Sequence, residues 1–308
     1  MSDHMPRLAV KDTPAWMQRK ERGSALLLGF MSQLSLRLGR AVSRLVLFGI
    51  AAYFTLFGGK AGRASRQYLT RSLGRPPRWH ERYRHVLAFA TTIHDRVYLL
   101  RDRFDQFDIE LVGAEALHQH CASGQGLLLF GAHLGSFEVL RSMARQRPDM
   151  RVSMAMYPEN ARQIQQTLAA INPGAVQDII PLGSLDAMLR VHERLKQGAL
   201  VGLLADRATG PDTYVPHPFL GTPAPFPGGP FRMAAMLGHP VYFIAGLYLG
   251  GNRYQLHFER LDDPSAAAGQ PRDALASDLM ARYVAVLARH CQAQPFNWFN
   301  FYDFWNEA

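Results

Sequence analysis

Cysteine is nearly absent. Cys121 and Cys291 are the two in 308 residues, and neither belongs to a CxxC pair or a Cys/His cluster. That leaves no disulfide framework and no zinc signature, and makes a reducing cytosol the default compartment. Neither a GxSxG elbow nor an HExxH helix occurs. A serine nucleophile on a hydrolase turn and a zincin centre therefore lack sequence support. Acidic residues are scarce at the start, with 6 Asp/Glu against 19 Lys/Arg in residues 1–103, whereas the other 205 residues carry 19 against 15. A basic third on a slightly acidic body points to an anionic partner surface. No zinc-finger or RNA-recognition motif accompanies it, and the apolar content beside the arginines favours lipid over nucleic acid.

The basic third also lacks an uncharged run long enough to span a membrane comfortably. Leu45–Gly59 has no charge, but at ~1.5 Å per residue it reaches about 22 Å against roughly 30 Å of hydrocarbon. It reads as helix lying in, or dipping into, a bilayer interface, with Arg37, Arg40 and Arg44 on one face at the headgroups. The alternative is a buried helical hairpin with a solvated arginine face. Residues 1–22 are polar and charged, which is not a signal-peptide layout. Further helix follows over 63–102, broken at Gly74-Arg75-Pro76-Pro77. His85 and His94 read as surface or packing residues within it.

What is present, with 48% hydrophobic residues to build a core, is an alternation of strands and helices. Ile109–Val112, Leu127–Phe130, Val152–Met156, Ile179-Ile180 and Ala199–Ala205 read as strands. Between them lie helices at Ala114–Ala122, after Ser136, at Asn160–Ile171 and after Ser184. The expected fold class is α/β, with a largely parallel or mixed central sheet flanked by helices. Residues 1–103 form a basic, apolar helical membrane-associating region and 104–308 the α/β core. Residues 210–230, with seven prolines, read as a long ordered loop. A helix at Phe231–Leu237 follows, then a hairpin (Val241–Leu249, Tyr254–Glu259) and a helix at Leu275–His290. The tail Phe296–Trp305 is too aromatic to be left in water and is expected to pack on the body, along an apolar ligand channel.

The chemistry centres on Leu127–Leu140, LLLFGAHLGSFEVL. An apolar strand ends at Gly131-Ala132, His133 sits on a tight turn through Gly135, and Ser136 caps a helix that carries Glu138. Five residues on one continuous helix would set His133 and Glu138 about 140° apart. They meet if His133 is on the turn and Glu138 in the first helical turn. An imidazole beside a carboxylate is held in one tautomer, made more basic, and can take a proton from a hydroxyl. A hydrogen-bonded loop histidine and a glutamate favoured by the helix dipole remain the plain alternative. Asp206-Arg207 closes another apolar strand, and polar groups at a strand's carboxyl end face the ligand crevice of a parallel sheet. The pair is read as substrate-binding, or else as an ion pair holding the proline-rich loop. Gly135 and Arg232 complete the candidate substrate contacts.

Taken in order, the strand–turn–helix H-x4-E of His133 and Glu138, Leu204-Ala205-Asp206-Arg207, Phe219-Leu220-Gly221-Thr222-Pro223-Ala224, Gly229-Pro230 and the WFNFYDFW tail resemble the late acyltransferases of lipid A biosynthesis. These belong to the lysophospholipid acyltransferase superfamily. The resemblance implies an acyl-carrier-protein-dependent acyltransferase without cofactor or metal, at the cytoplasmic face of a bacterial inner membrane. In it His133 is the general base for an acceptor hydroxyl (or amine) of a membrane lipid or glycolipid, and Glu138 orients it. Acyl carrier protein and the membrane surface are the implied partners, and nucleic acid is not. Where that family carries an arginine-containing segment downstream of the His, this chain reads Ala169-Ala170-Ile171-Asn172-Pro173-Gly174. That departure places it nearer to relatives linked with aryl polyene or ornithine lipid pathways. A hydrolase acting through His133 and Glu138, and a non-catalytic membrane-binding protein, are the competing functions.

Overall fold

A computed structural model describes residues 25–145, 151–158, 178–207, 213–262 and 269–306. Three helices come first: α1 (Ala25–Phe57), α2 (Gly59–Leu73) and α3 (Trp79–Leu99). Gly39, at φ 79°, breaks α1. Arg37–Phe57, which includes that break, is long and apolar enough to cross a membrane by length and composition. Counted from Arg37, the apolar helix is longer than the uncharged stretch Leu45–Gly59 alone. Leu45, Tyr53, Phe54, Leu56 and Phe57 are more than half exposed, an apolar face far larger than a monomer leaves in water without a use for it.

Arg40 and Arg44 do not face outward as headgroup ligands. Arg40 makes a two-pronged ion pair with the buried Asp95 of α3, at 2.8 Å for each bond. Arg44 donates to the Gly251 carbonyl and, at 3.0 Å, to the Tyr248 hydroxyl. Beside them Ser35, Ser43, His94 and Tyr98 form a buried hydrogen-bonded knot. These arginines bolt α1 to the body, which replaces the headgroup role read from their spacing.

The body is built from β1 (Asp108–Val112), α4 (Ala114–Ala122), β2 (Leu127–Gly131), α5 (Phe137–Arg145), β3 (Val152–Met156), β4 (Asp178–Pro181), α6 (Leu185–Lys196) and β5 (Leu200–Leu204). It continues with β6 (Tyr214–Phe219), β7 (Thr222–Pro227), α7 (Gly229–Leu237), β8 (Val241–Gly250), β9 (Arg253–Asp262) and α8 (Arg272–Ala293). The expected helix at Asn160–Ile171 lies outside the described residues. Seven strands form one sheet in the order β1-β9-β8-β2-β5-β3-β4. Every neighbouring pair is parallel except β8–β9. Continuous apolar runs such as LLLFG in β2 are buried on both faces, as a strand in the middle of a parallel sheet must be.

Residues 213–227 are not a loop. β6 and β7 form a separate antiparallel hairpin around Leu220-Gly221, both at positive φ. Its prolines pair as Pro216↔Pro225 and Pro218↔Pro223, with Pro227 opposite Tyr214. In a two-residue hairpin the closing pair, Phe219↔Thr222, exchanges ladder bonds, so every second pair makes none. The prolines fall on those silent pairs, and their missing N–H groups cost the ladder nothing. The other set carries Phe219, Ala224 and Phe226 into the core.

Candidate active site

β2 and β5 pair in register from Leu127↔Leu200 to Gly131↔Leu204, and Ala205 N–H extends the ladder to the Gly131 carbonyl at 2.9 Å. Two residues past each strand end, His133 faces Asp206. Nδ1 of His133 lies 2.9 Å from Oδ1 of Asp206, and the His133 backbone N–H donates to Oδ2 at 3.1 Å. A carboxylate accepts, so the proton sits on Nδ1 and the lone pair on Nε2. Asp206 is fully buried, whereas 36% of the His133 side chain remains open. Among the described residues Nε2 has no hydrogen-bond partner, which leaves the basic nitrogen facing whatever enters.

The carboxylate that meets the imidazole is thus that of Asp206, not that of Glu138. Glu138 accepts from Nε of Arg141 at 2.9 Å and lies 4.0 Å from Nε of Arg96 on α3, an ion cluster that ties α5 to α3. The first helical turn does carry Glu138 as expected, but its carboxylate is engaged by arginines. Asp206, read as a substrate contact, accepts hydrogen bonds from both the imidazole and the backbone of His133.

Four hydrogen bonds hold the Asp206 carboxylate. Besides the two from His133, Oδ2 accepts from Trp298 Nε1 at 3.1 Å and from the Arg207 guanidinium at 3.3 Å. Burial alone would push this carboxyl up, but the His133 and Arg207 charges and the His133 hydrogen bonds outweigh it. The net effect keeps Asp206 ionised, well below the usual carboxylate range. For His133 burial acts first and downward, the Arg207 charge adds to it, and Asp206 pulls upward without cancelling them. The imidazole therefore titrates below its ordinary value and is neutral near pH 7.

Arg207 is nearly buried, stacks over the Tyr302 ring at 4.8 Å, and among the described residues its Nε–H has no partner. Gly135 is a backbone requirement. It sits at φ 70°, and a Cβ there would stand 2.0 Å from the Gly246 carbonyl oxygen. Ser136 N–H bonds that same carbonyl at 2.7 Å, which fixes the turn against β8. Arg232 is on the exposed side of α7, with its guanidinium folded over Gly228. The segment Ala169–Gly174 lies outside the described residues.

A strand-end His–Asp pair with an open nitrogen, in a chain carrying a long exposed apolar helix, suits proton removal from a substrate held at a lipid surface. The model of the family described as bacterial lipid A biosynthesis acyltransferase matches residues 80–306. The chain belongs to that family. It is accordingly a member of a family of enzymes that transfer acyl groups, and the match takes in α3, both sheets and the aromatic tail. No curated protein matches the chain in sequence.

The acyltransferase also has site residues that the sequence reading did not single out. Trp298 was expected to pack; its ring does pack, but its N–H is spent on Asp206. His85 was read as a packing residue, and it joins Ser65 of α2 to the Trp298 carbonyl. An indole and an imidazole, each with polar atoms to satisfy when buried, were the available signals.

Proposed function

We propose that the enzyme moves a fatty acyl group from the thioester of an acyl carrier protein to a hydroxyl of a lipid or glycolipid acceptor, with His133 as general base. The observation that carries this reading is the His133–Asp206 pair, its Nε2 free at the carboxyl end of adjacent parallel strands. Nε2 takes the acceptor hydroxyl proton as the oxygen attacks the thioester carbon. The resulting imidazolium is stabilised by the buried Asp206 carboxylate. The tetrahedral oxyanion then collapses, the carbon–sulfur bond breaks, and the carrier's thiolate regains a proton from Nε2. The Nε–H of Arg207, without a partner among the described residues, is the donor best suited to meet the oxyanion.

Location supports the same reading. The exposed face of Arg37–Phe57 supports uptake of the acceptor from a membrane, on the cytoplasmic side where acyl carrier protein resides. The test is to incubate membranes holding the enzyme with a labelled acyl-carrier thioester and to identify the product by mass. Label in an acylated lipid, lost with His133→Ala, is expected. Label released as free fatty acid would make the enzyme a hydrolase instead.

A further inference from the structure

We infer that the C-terminal tail completes the catalytic centre, with Trp298 and, behind it, His85 acting as positioning residues for the Asp206–His133 pair. The inference rests on the reading of His133 as the base. The tail does not merely cover the core: it hydrogen-bonds to the catalytic turn as an extra strand would. Leu134 and Trp298 form an antiparallel bridge, Phe299 N–H donates to the His133 carbonyl at 2.8 Å, and Gly135 N–H donates to the Asn297 carbonyl at 2.7 Å. The Asn297 side chain then clamps Tyr248 of β8 through both its amide atoms. Thus the backbone on either side of Trp298 is fixed to the histidine turn, and its ring is fully buried against Tyr68, Phe219 and Phe304.

From that anchorage the indole N–H reaches Oδ2 of Asp206. Packing alone asks for a ring, not for a donor aimed at a buried carboxylate. The Trp298 carbonyl in turn accepts from Nε2 of His85 at 2.9 Å. A carbonyl cannot donate, so His85 carries its proton on Nε2, and its Nδ1 accepts from the Ser65 hydroxyl at 2.8 Å. A continuous chain of hydrogen bonds therefore runs from Ser65 through His85, Trp298 and Asp206 to His133. It fixes the rotation of the carboxylate, and with it the tautomer and aim of the imidazole. The charged and titratable groups around this pair are Arg207 beside Asp206, and Tyr283 and Cys291 of α8.

The test compares Trp298→Phe, which keeps a smaller aromatic ring and deletes the donor, with wild type and His133→Ala. Trp298→Phe is expected to lower kcat about tenfold while KM for both substrates stays within about twofold. The acid limb of kcat/KM should move to higher pH, because a less neutralised Asp206 binds the imidazolium more strongly. On an Asp206→Asn background the same substitution should change kcat less than about twofold. An inactive His133→Ala beside a Trp298→Phe enzyme of normal kcat and pH profile overturns the positioning role alone. A fully active His133→Ala overturns the base assignment itself. If Trp298→Phe does not fold, His85→Leu and His85→Gln read the chain from its other end. Loss of kcat in the first with recovery in the second supports the role, and wild-type kcat and pH profile in both overturns it.

Discussion

Asp206 accepts the Nδ1–H of His133 at 2.9 Å although 73 residues separate them, while Glu138, five residues from His133, is bound by Arg141. The two carboxylates therefore have separable effects. His133→Ala should lower acyl transfer about a thousandfold, and Asp206→Asn about a hundredfold or more, since a wrong tautomer is as damaging as a weak base. Glu138→Gln should cost about 1–3 kcal/mol of stability by weakening a buried charged hydrogen bond, with a smaller loss of kcat than Asp206→Asn. Thermal melts beside rate measurements check the ranking. A stable Glu138→Gln enzyme as inactive as His133→Ala would return the orienting role to Glu138.

The pH dependence of rate follows from the His133 environment. Because burial and Arg207 hold its pKa below the ordinary 6.5, the neutral base persists below that pH. kcat/KM should be flat near pH 7 and fall only on more acidic titration. A midpoint above 6.5 in the wild-type enzyme would contradict the electrostatics described for the site.

Stability should follow a second histidine. Burial pushes His85 down to about 4 despite its bond to the Trp298 carbonyl. The folded state then binds fewer protons than the unfolded chain between pH 6.5 and about 4. The stability present above pH 6.5 is lost as pH falls through that window, at up to about 1.4 kcal/mol per pH unit for this residue. Denaturant titrations from pH 7 to 4.5 measure the slope, and His85→Gln should make it shallower.

Two glycines at similar φ separate backbone freedom from space. Gly135→Ala adds a Cβ that would meet the Gly246 carbonyl, and should cost about 3 kcal/mol or more. Gly74, at φ 66°, has nothing within 4 Å of that position, so Gly74→Ala should cost about 1 kcal/mol. Equal melting temperatures for the two variants would contradict the close crossing of the turn and β8.

The outward face of α1 is predicted to hold the enzyme on lipid. Replacing Leu45, Leu56 and Phe57 with serine should reduce co-sedimentation with anionic vesicles and leave the fold intact, since all three are at least 66% exposed. Arg40→Ala should act differently, costing about 3 kcal/mol or more by stranding the buried Asp95 charge. Unaltered vesicle binding by the triple variant would remove this role.

Most strands were legible because a central parallel strand is apolar without interruption, and Val152–Met156 has the bounds its composition implies. The helix after Ser184 was legible from its cap, whose hydroxyl accepts from Ala187 N–H at 3.2 Å. The hairpin over 214–227 reads as loop from its proline content, but at every second position those prolines mark silent ladder pairs. The partner of His133 was hidden for a different reason. Neighbourhood in a parallel sheet is not neighbourhood in sequence, and only the β2–β5 register brings the two strand ends together. Proximity along the chain favoured Glu138 instead. Arg40 and Arg44 share the helical spacing of a solvated face, and nothing local shows that Asp95 and the Gly251 turn will claim them.

The bridge between Leu134 and Trp298 gives the enzyme an order of birth. Every strand can leave the ribosome and pair while Asp206 still lacks its indole donor and the histidine turn its outer edge. A nascent chain halted before Asn297 would carry a finished sheet around an unfinished base. Activity should therefore wait for the segment around Trp298, and a nick just before Asn297 should silence an otherwise folded protein.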